Sequence, residues 1–162
     1  MFYWKLFAEA NLVFAAEALR RRDTFHFYLQ NFDIMTNEQL NKLGAQILDA
    51  CITVHKELGP GLLESVYVFA LLKELELRSI KAVPAVAVPL IYKGYPTGKY
   101  YEMDILIENE VVFEAKSAEI MHAVYTAQMI SYLKLTGKSL GYMVNFNVPK
   151  LKDGFRRFVN NF

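Results

Sequence analysis

The 162 residues carry 18 Lys and Arg against 17 Asp and Glu, a formal net charge of +1. No overall field therefore draws the chain to nucleic acid or to an anionic membrane, and any such binding has to come from a local patch. An apolar fraction of 54% with five prolines excludes a disordered chain, and the length is enough for one domain with a buried core. A single cysteine, Cys51, rules out an internal disulfide and fits a reducing, cytoplasmic setting. It lies on an apolar helical stripe and reads as a small core residue. Three scattered histidines with one cysteine argue against a zinc site.

Residues 1–34 differ in character from the rest: they are rich in aromatics and interrupted by Lys5, Glu9 and Glu17. No uncharged apolar run there reaches the roughly 18 residues of a membrane span. The cluster Arg20-Arg21-Arg22 follows the apolar stretch, the reverse of a secretory signal's polarity. Two readings stay open. One is an extension upstream of a true start at Met35, where Thr36 or Asn37 makes a natural N-cap. The other is a short amphipathic helix that docks on a membrane surface or a partner. We take the first, which leaves residues 35–162 as the domain.

From Asn37 to Leu58 apolar residues recur at steps of three and four (Leu40, Leu43, Ile47, Ala50, Cys51, Val54, Leu58), which predicts an amphipathic helix. Gly59-Pro60-Gly61 stops it. A second helix is expected from about Leu62 to Leu77, with Leu63, Val66, Tyr67, Ala70, Leu71 and Leu75 on its inner face. One carboxylate, Glu64, sits in its first turn, where the helix dipole tolerates it.

"AVPAVAVPLIY" follows, β-rich but holding Pro84 and Pro89, which suits an edge or bulged strand. "KGYPTGK" reads as a turn. "YYEMDILIE" alternates as a strand, and "VVFEAKSA" follows after Glu108-Asn109-Glu110. A long helix is expected from Glu119 to Thr136, ended by Gly137, then a buried strand "LGYMVNFNV" and a basic, aromatic tail. The order of helix, helix, three strands, helix, strand and tail defines one α/β domain.

In "VVFEAKSA" the two-residue period places Glu114 and Lys116 on one face. A three-residue loop at Glu108-Asn109-Glu110 would pair Ile107 with Val111 and set Asp104 opposite Glu114, about 4.5–5.5 Å away. Two carboxylates that close repel unless something positive lies between them, and a hard divalent cation meets that need. A two-residue loop would break the arrangement, because the register would slip by one. The bland alternative is an exposed hairpin whose Asp104, Glu114 and Lys116 form a surface ladder. Against it, the charges interrupt an apolar segment, where unpaired charges are disfavoured. On the next helix His122, Tyr125, Gln128, Met129 and Tyr132 share a broad face. His122 reads as structural, and the tyrosines as core aromatics unless a site lies beside them.

An acid on a helix, Asp104 on a strand, Glu114-Ala115-Lys116 on the next and Gln128-x-x-x-Tyr132 on the following helix resemble the PD-(D/E)XK nuclease superfamily. Gly61-Leu62-Leu63-Glu64-Ser65-Val66-Tyr67 further resembles the signature of the small prokaryotic GxxExxY proteins. The likeness runs from about Met35 to the tail. Met103 departs from the proline of the superfamily's name. The resemblance implies a restriction-endonuclease-like core, a mixed β-sheet flanked by helices. It implies Mg²⁺- or Mn²⁺-dependent hydrolysis of phosphodiesters, of DNA in preference to RNA. Glu64, Asp104, Glu114 and the carbonyl of Ala115 would be the metal ligands. Lys116 would serve with the three acids in catalysis, positioning or deprotonating the attacking water or steadying the charge on the phosphate, its pKa pulled down by burial beside a metal. Gln128 and Tyr132 would orient substrate or water. Lys150, Lys152, Arg156 and Arg157 form the best local patch for phosphates. A rival is a non-catalytic module that keeps the fold to bind nucleic acid or protein. Self-association is left open.

Overall fold

The fold is seen in a computed structural model that describes residues 35–161. The extension expected over residues 1–34 lies outside the described residues. Helix α1 (Asn37–Leu58) starts where Thr36 closes a capping box. Thr36 Oγ1 accepts from the Gln39 amide at 3.2 Å, and Gln39 Oε1 accepts from the Thr36 amide at 2.8 Å. The predicted stripe from Leu40 to Val54 is buried, Cys51 included, and burial pushes the Cys51 thiol far up, leaving it inert. Gly59, at φ 69°, ends the helix in a conformation that favours glycine.

Helix α2 (Glu64–Leu77) packs on α1 through Tyr67, Leu71 and Leu75. Just past its end, Arg78 reaches Asp49 at 2.6 Å, Glu74 at 2.7 Å and Thr53 at 3.1 Å, tying the two helices together. Leu63 and Val66 do not lie on the inner face as expected. Leu63 is the N-cap and still extended, so helical spacing does not govern where it points. Leu62, Leu63 and Val66 line an open groove with Ser117, Glu119 and Asn147 instead.

Five strands follow: β1 (Ala82–Tyr92), β2 (Tyr95–Ile107), β3 (Val111–Lys116), β4 (Leu140–Asn145) and β5 (Phe155–Val159). They form one mixed sheet in the order β1-β2-β3-β4-β5. Only β3 and β4 are parallel, and α3 (Ala123–Thr136) makes the crossover between them. One sheet face packs on α1 and α2 through Ile105, Phe113, Ala115, Tyr142 and Val144. The other packs on α3 through Val112, Met129, Leu133 and Met143. With both faces covered, every residue of β3 and β4 is buried, and their sequences read as apolar runs. No described helix is long and apolar enough to cross a membrane.

Three boundaries depart from the sequence reading. Only Lys93 and Gly94 of "KGYPTGK" form the turn; both have positive φ, as a two-residue hairpin turn requires, and the strands continue on either side. Helix α3 begins at Ala123, four residues late, because its N-cap His122 is extended. The tail is not a tail: a short helix α4 (Leu151–Gly154) leads into β5, which pairs antiparallel with β4. Phe155 and Phe158 then pack on opposite faces of the sheet.

At the α4–β5 junction a Cβ on Gly154 would overlap the backbone carbonyl of Asn145, which cannot yield as a side-chain tip can. Gly154→Ala is expected to destabilise the domain by about 1–3 kcal/mol, measured as a lower midpoint in urea unfolding with an unchanged slope.

Candidate active site

The site begins in the loop between α1 and α2. Gly61 takes φ 93°, which carries the chain back toward the sheet. The Tyr67 hydroxyl, one helical turn on from Glu64, closes that loop: it donates to the Gly59 carbonyl at 2.7 Å and accepts from the Leu62 amide at 3.1 Å. Its ring is buried and stacks on Phe146 with centroids 4.6 Å apart. Ser117, just past β3, donates to the Leu62 carbonyl at 2.6 Å. Held from both sides, the first turn of α2 places Glu64 at the end of β3.

Strands β2 and β3 supply the other acids. Glu108-Asn109-Glu110 is the three-residue loop, with Glu108 and Asn109 at φ 50° and 55°. The register follows: Ile107 faces Val111 and Ile105 faces Phe113. Pairing then stops, and the two carboxylates take its place. The Asp104 amide donates to Glu114 Oε1 at 3.2 Å, and the Ala115 amide donates to Asp104 Oδ2 at 2.8 Å. The expectation of two acids side by side, separated by a cation, is thus modified, because each carboxylate accepts a backbone N–H of the other strand. Opposite Asp104, Ala85 of β1 is held at φ 52°, and Met103 packs toward α3 although Ile105 packs toward α1. The sheet therefore bends at Asp104.

Lys116 completes the cluster. Its Nζ lies 2.9 Å from the Ala115 carbonyl, 3.2 Å from Glu114 Oε2 and 3.3 Å from Glu64 Oε1. The Tyr125 ring of α3 lies 5.7 Å from the same nitrogen, a cation–π contact. Glu114 is 2% exposed and Lys116 8%, so neither is a surface charge, and the exposed-ladder alternative fails for them. Burial, helped by the Asp104 charge, pushes the Glu114 carboxyl up to about 7. Burial also raises Asp104, against the pull of Lys116. For Lys116, burial acts downward, but Glu114, Asp104 and Glu64 outweigh it and the net shift is upward. In this bare cluster three carboxylates face one ammonium, whereas the expected fall concerns a lysine beside a bound metal.

Gln128 and Tyr132 form a pair of their own. Gln128 Nε2 donates to the Tyr132 hydroxyl at 2.8 Å, and that hydroxyl donates to the Glu102 carbonyl at 2.9 Å. Tyr132 is buried and stays a neutral phenol, its pKa raised by burial and the Glu114 charge. The pair fixes β2 just before Asp104. His122 caps α3 and stacks edge-on to Tyr125, apart from the acids. The basic residues do not form one patch: Arg156 and Arg157 are neighbours on β5 and point to opposite faces, Arg157 toward Asn41 of α1. Lys150 and Lys152 are exposed around α4.

Tyr125, Ser117 and Asn145 were not legible as site residues. Asn145, buried at the end of β4, exchanges two hydrogen bonds with Ala118 and so fixes the chain leaving Lys116. Its signal was a lone amide closing an apolar strand. Among the described residues no group of three or more His, Cys, Asp or Glu side chains stands in metal-holding geometry. The chemistry of the donors is nevertheless that of a hard-cation site. Two carboxylates and a carbonyl from separate positions converge on one positive nitrogen, with a third carboxylate alongside.

The arrangement of acids and lysine at the splayed end of an antiparallel pair, in a mixed sheet flanked by helices, defines a class of α/β domain. A family model described as the PD-(D/E)XK nuclease superfamily matches residues 41–158, and the chain belongs to that superfamily. Its members are generally nucleases and generally use divalent metals such as Mg²⁺. Searches of curated proteins and of solved structures each returned no match.

A carboxyl raised by folding favours its protonated form in the native state. The stability Glu114 contributes is present in full below about 4.5 and is lost as pH rises through about 7. Asp104 acts in the same direction. In chelator, the melting temperature of wild type relative to Glu114→Gln is expected to fall across that window. A difference that stays constant, or rises, contradicts the assigned environment.

Proposed function

We propose that this chain is a Mg²⁺- or Mn²⁺-dependent nuclease that hydrolyses nucleic-acid phosphodiesters, DNA in preference to RNA. We further propose that it belongs to the narrower GxxExxY group, a reading supported by Gly61, Glu64 and Tyr67 at that spacing. The observation that carries the reading is the convergence of Glu64, Glu114 and the Ala115 carbonyl on Lys116, with Asp104 hydrogen-bonded into the same cluster. The preference for DNA rests on the motif resemblance to restriction enzymes and recombination exonucleases.

Asp104, Glu114 and the Ala115 carbonyl would hold the metal, with Glu64 beside them. A divalent cation so held supplies Lewis acidity toward a phosphoryl oxygen and a nucleophile at neutral pH. The chain's own groups set up the rest. Lys116, whose ammonium the three acids favour in the bare cluster, would be placed to donate to a phosphate oxygen as negative charge grows on it. Tyr125 covers one side of the ammonium and limits its access to water. Glu114, buried beside Asp104, needs a positive partner to stay ionised, and a ligated cation would supply one. Gln128 and Tyr132 are positioning residues. The Tyr132 hydroxyl, held by Gln128, donates to the Glu102 carbonyl and so sets where Asp104 stands; Tyr132→Phe should lower turnover more than it lowers stability.

Purified protein with Mg²⁺ or Mn²⁺ is expected to cleave single- or double-stranded DNA. Lys116→Ala should lose at least 100-fold in rate while keeping the metal-induced rise in melting temperature, and Asp104→Asn should lose both. Metal-induced stabilisation with no cleavage of any DNA or RNA substrate would leave the non-catalytic binding module in place of the enzyme.

A further inference from the structure

Strands β1 and β2 run well past the rest of the sheet. Beyond Ile105 strand β2 has no pairing with β3, yet it pairs with β1 from Met103↔Val86 to Tyr100↔Pro89 and again at Pro96↔Ile91 and Tyr95↔Tyr92, with Thr97, Gly98 and Lys99 bulged between. The result is a two-stranded, bulged ribbon that starts at Asp104 and extends for about 20 Å along β1, at about 3.3 Å per residue. Its composition is unlike that of the whole chain. From Ala82 to Tyr101 there is no Asp or Glu, and the only charges are Lys93 and Lys99.

The ribbon also carries aromatics in water. Tyr95 is 75% exposed, Tyr92 66% and Tyr100 55%. Tyr92 and Tyr95 are cross-strand partners at the tip, with the Lys93 ammonium 5.6 Å from the Tyr92 ring. At the base, Tyr101 packs edge-on against Tyr132, whose hydroxyl holds the Glu102 carbonyl. The ribbon is thus anchored to α3 at the end that meets the acids.

We propose that this ribbon binds an unpaired nucleic-acid strand and leads it to Asp104, with bases stacked on Tyr92, Tyr95 and Tyr100 and phosphates met by Lys93 and Lys99. The proposal rests on the nuclease reading of the adjoining cluster. Exposed rings offer stacking to bases whose faces are open, and a duplex hides those faces. Two lysines without acids suit a strand that needs few phosphates neutralised, whereas a duplex site would call for more cations.

The test uses the full chain in EDTA and a fluorescently labelled oligothymidylate, read by anisotropy. We expect the single strand to bind at least 10-fold more tightly than a labelled duplex of equal length. Tyr92→Ala with Tyr95→Ala should weaken it at least 10-fold, and Tyr92→Phe with Tyr95→Phe should bind within two-fold of wild type. Lys93→Gln with Lys99→Gln should reduce the log–log salt slope by about 1.4, at about 0.7 for each phosphate contact on a single strand. Equal or tighter duplex binding overturns the proposal, as does an alanine pair that binds like wild type. So does an alanine pair that changes sedimentation but not oligonucleotide affinity, since the ribbon is then a contact between copies. The assay needs neither metal nor turnover. Failure of cleavage therefore tells against the nuclease reading alone, and failure here leaves metal-dependent cleavage standing.

Discussion

A buried ammonium has to be surrounded by acceptors, and the arrangement of this domain around Lys116 follows from that requirement. Taking the charge out of water costs several kcal/mol unless oxygen partners replace the lost solvent. Glu64 comes from the first turn of α2, Glu114 and the Ala115 carbonyl come from β3, and Tyr125 closes the site from α3. Three elements must therefore hold their relative positions. The hydrogen bonds of Tyr67, Ser117, Asn145 and Tyr132 serve that purpose, each joining a side chain to the backbone of another segment or of the loop it closes. The same balance raises Glu114, because one lysine cannot offset burial and a neighbouring acid together.

The segment from Gly61 to Tyr67 shows how much a short motif can compress. Gly61 supplies a backbone conformation that other residues rarely adopt. Tyr67 supplies a hydroxyl that closes the loop and a ring that stacks into the core. Glu64, between them, is the residue whose position the other two fix. Its half-exposed side chain reaches from the surface to the buried Lys116, which accounts for an acid at that position.

Local signals served well where the chemistry was local. Thr36 marked the start of α1, Gly59 its end, and the three-residue loop fixed the pairing that brings Asp104 to Glu114. They failed where a partner far along the chain decided the outcome. The tail became β5 because β4 offered an open edge to pair with, and a basic, aromatic sequence does not advertise that edge. "KGYPTGK" reads as turn throughout, yet cross-strand pairing with β1 draws all but Lys93 and Gly94 into strand. The four basic residues looked like one patch in sequence, but strand alternation sends Arg156 and Arg157 to opposite faces.

The sequence by itself determined the α/β class, the buried stripe of α1, and the spacing that puts Glu114 and Lys116 on one face and, given a three-residue loop, Asp104 opposite Glu114. Each of these depends on spacing of a few residues, and spacing is what a sequence records. Only the tertiary structure decided that the carboxylates accept cross-strand amides and that Tyr125 covers the lysine. The sign of the Lys116 shift belongs there too. It is the difference between burial and three nearby charges, and both sides of that difference depend on distances between residues as much as 52 positions apart.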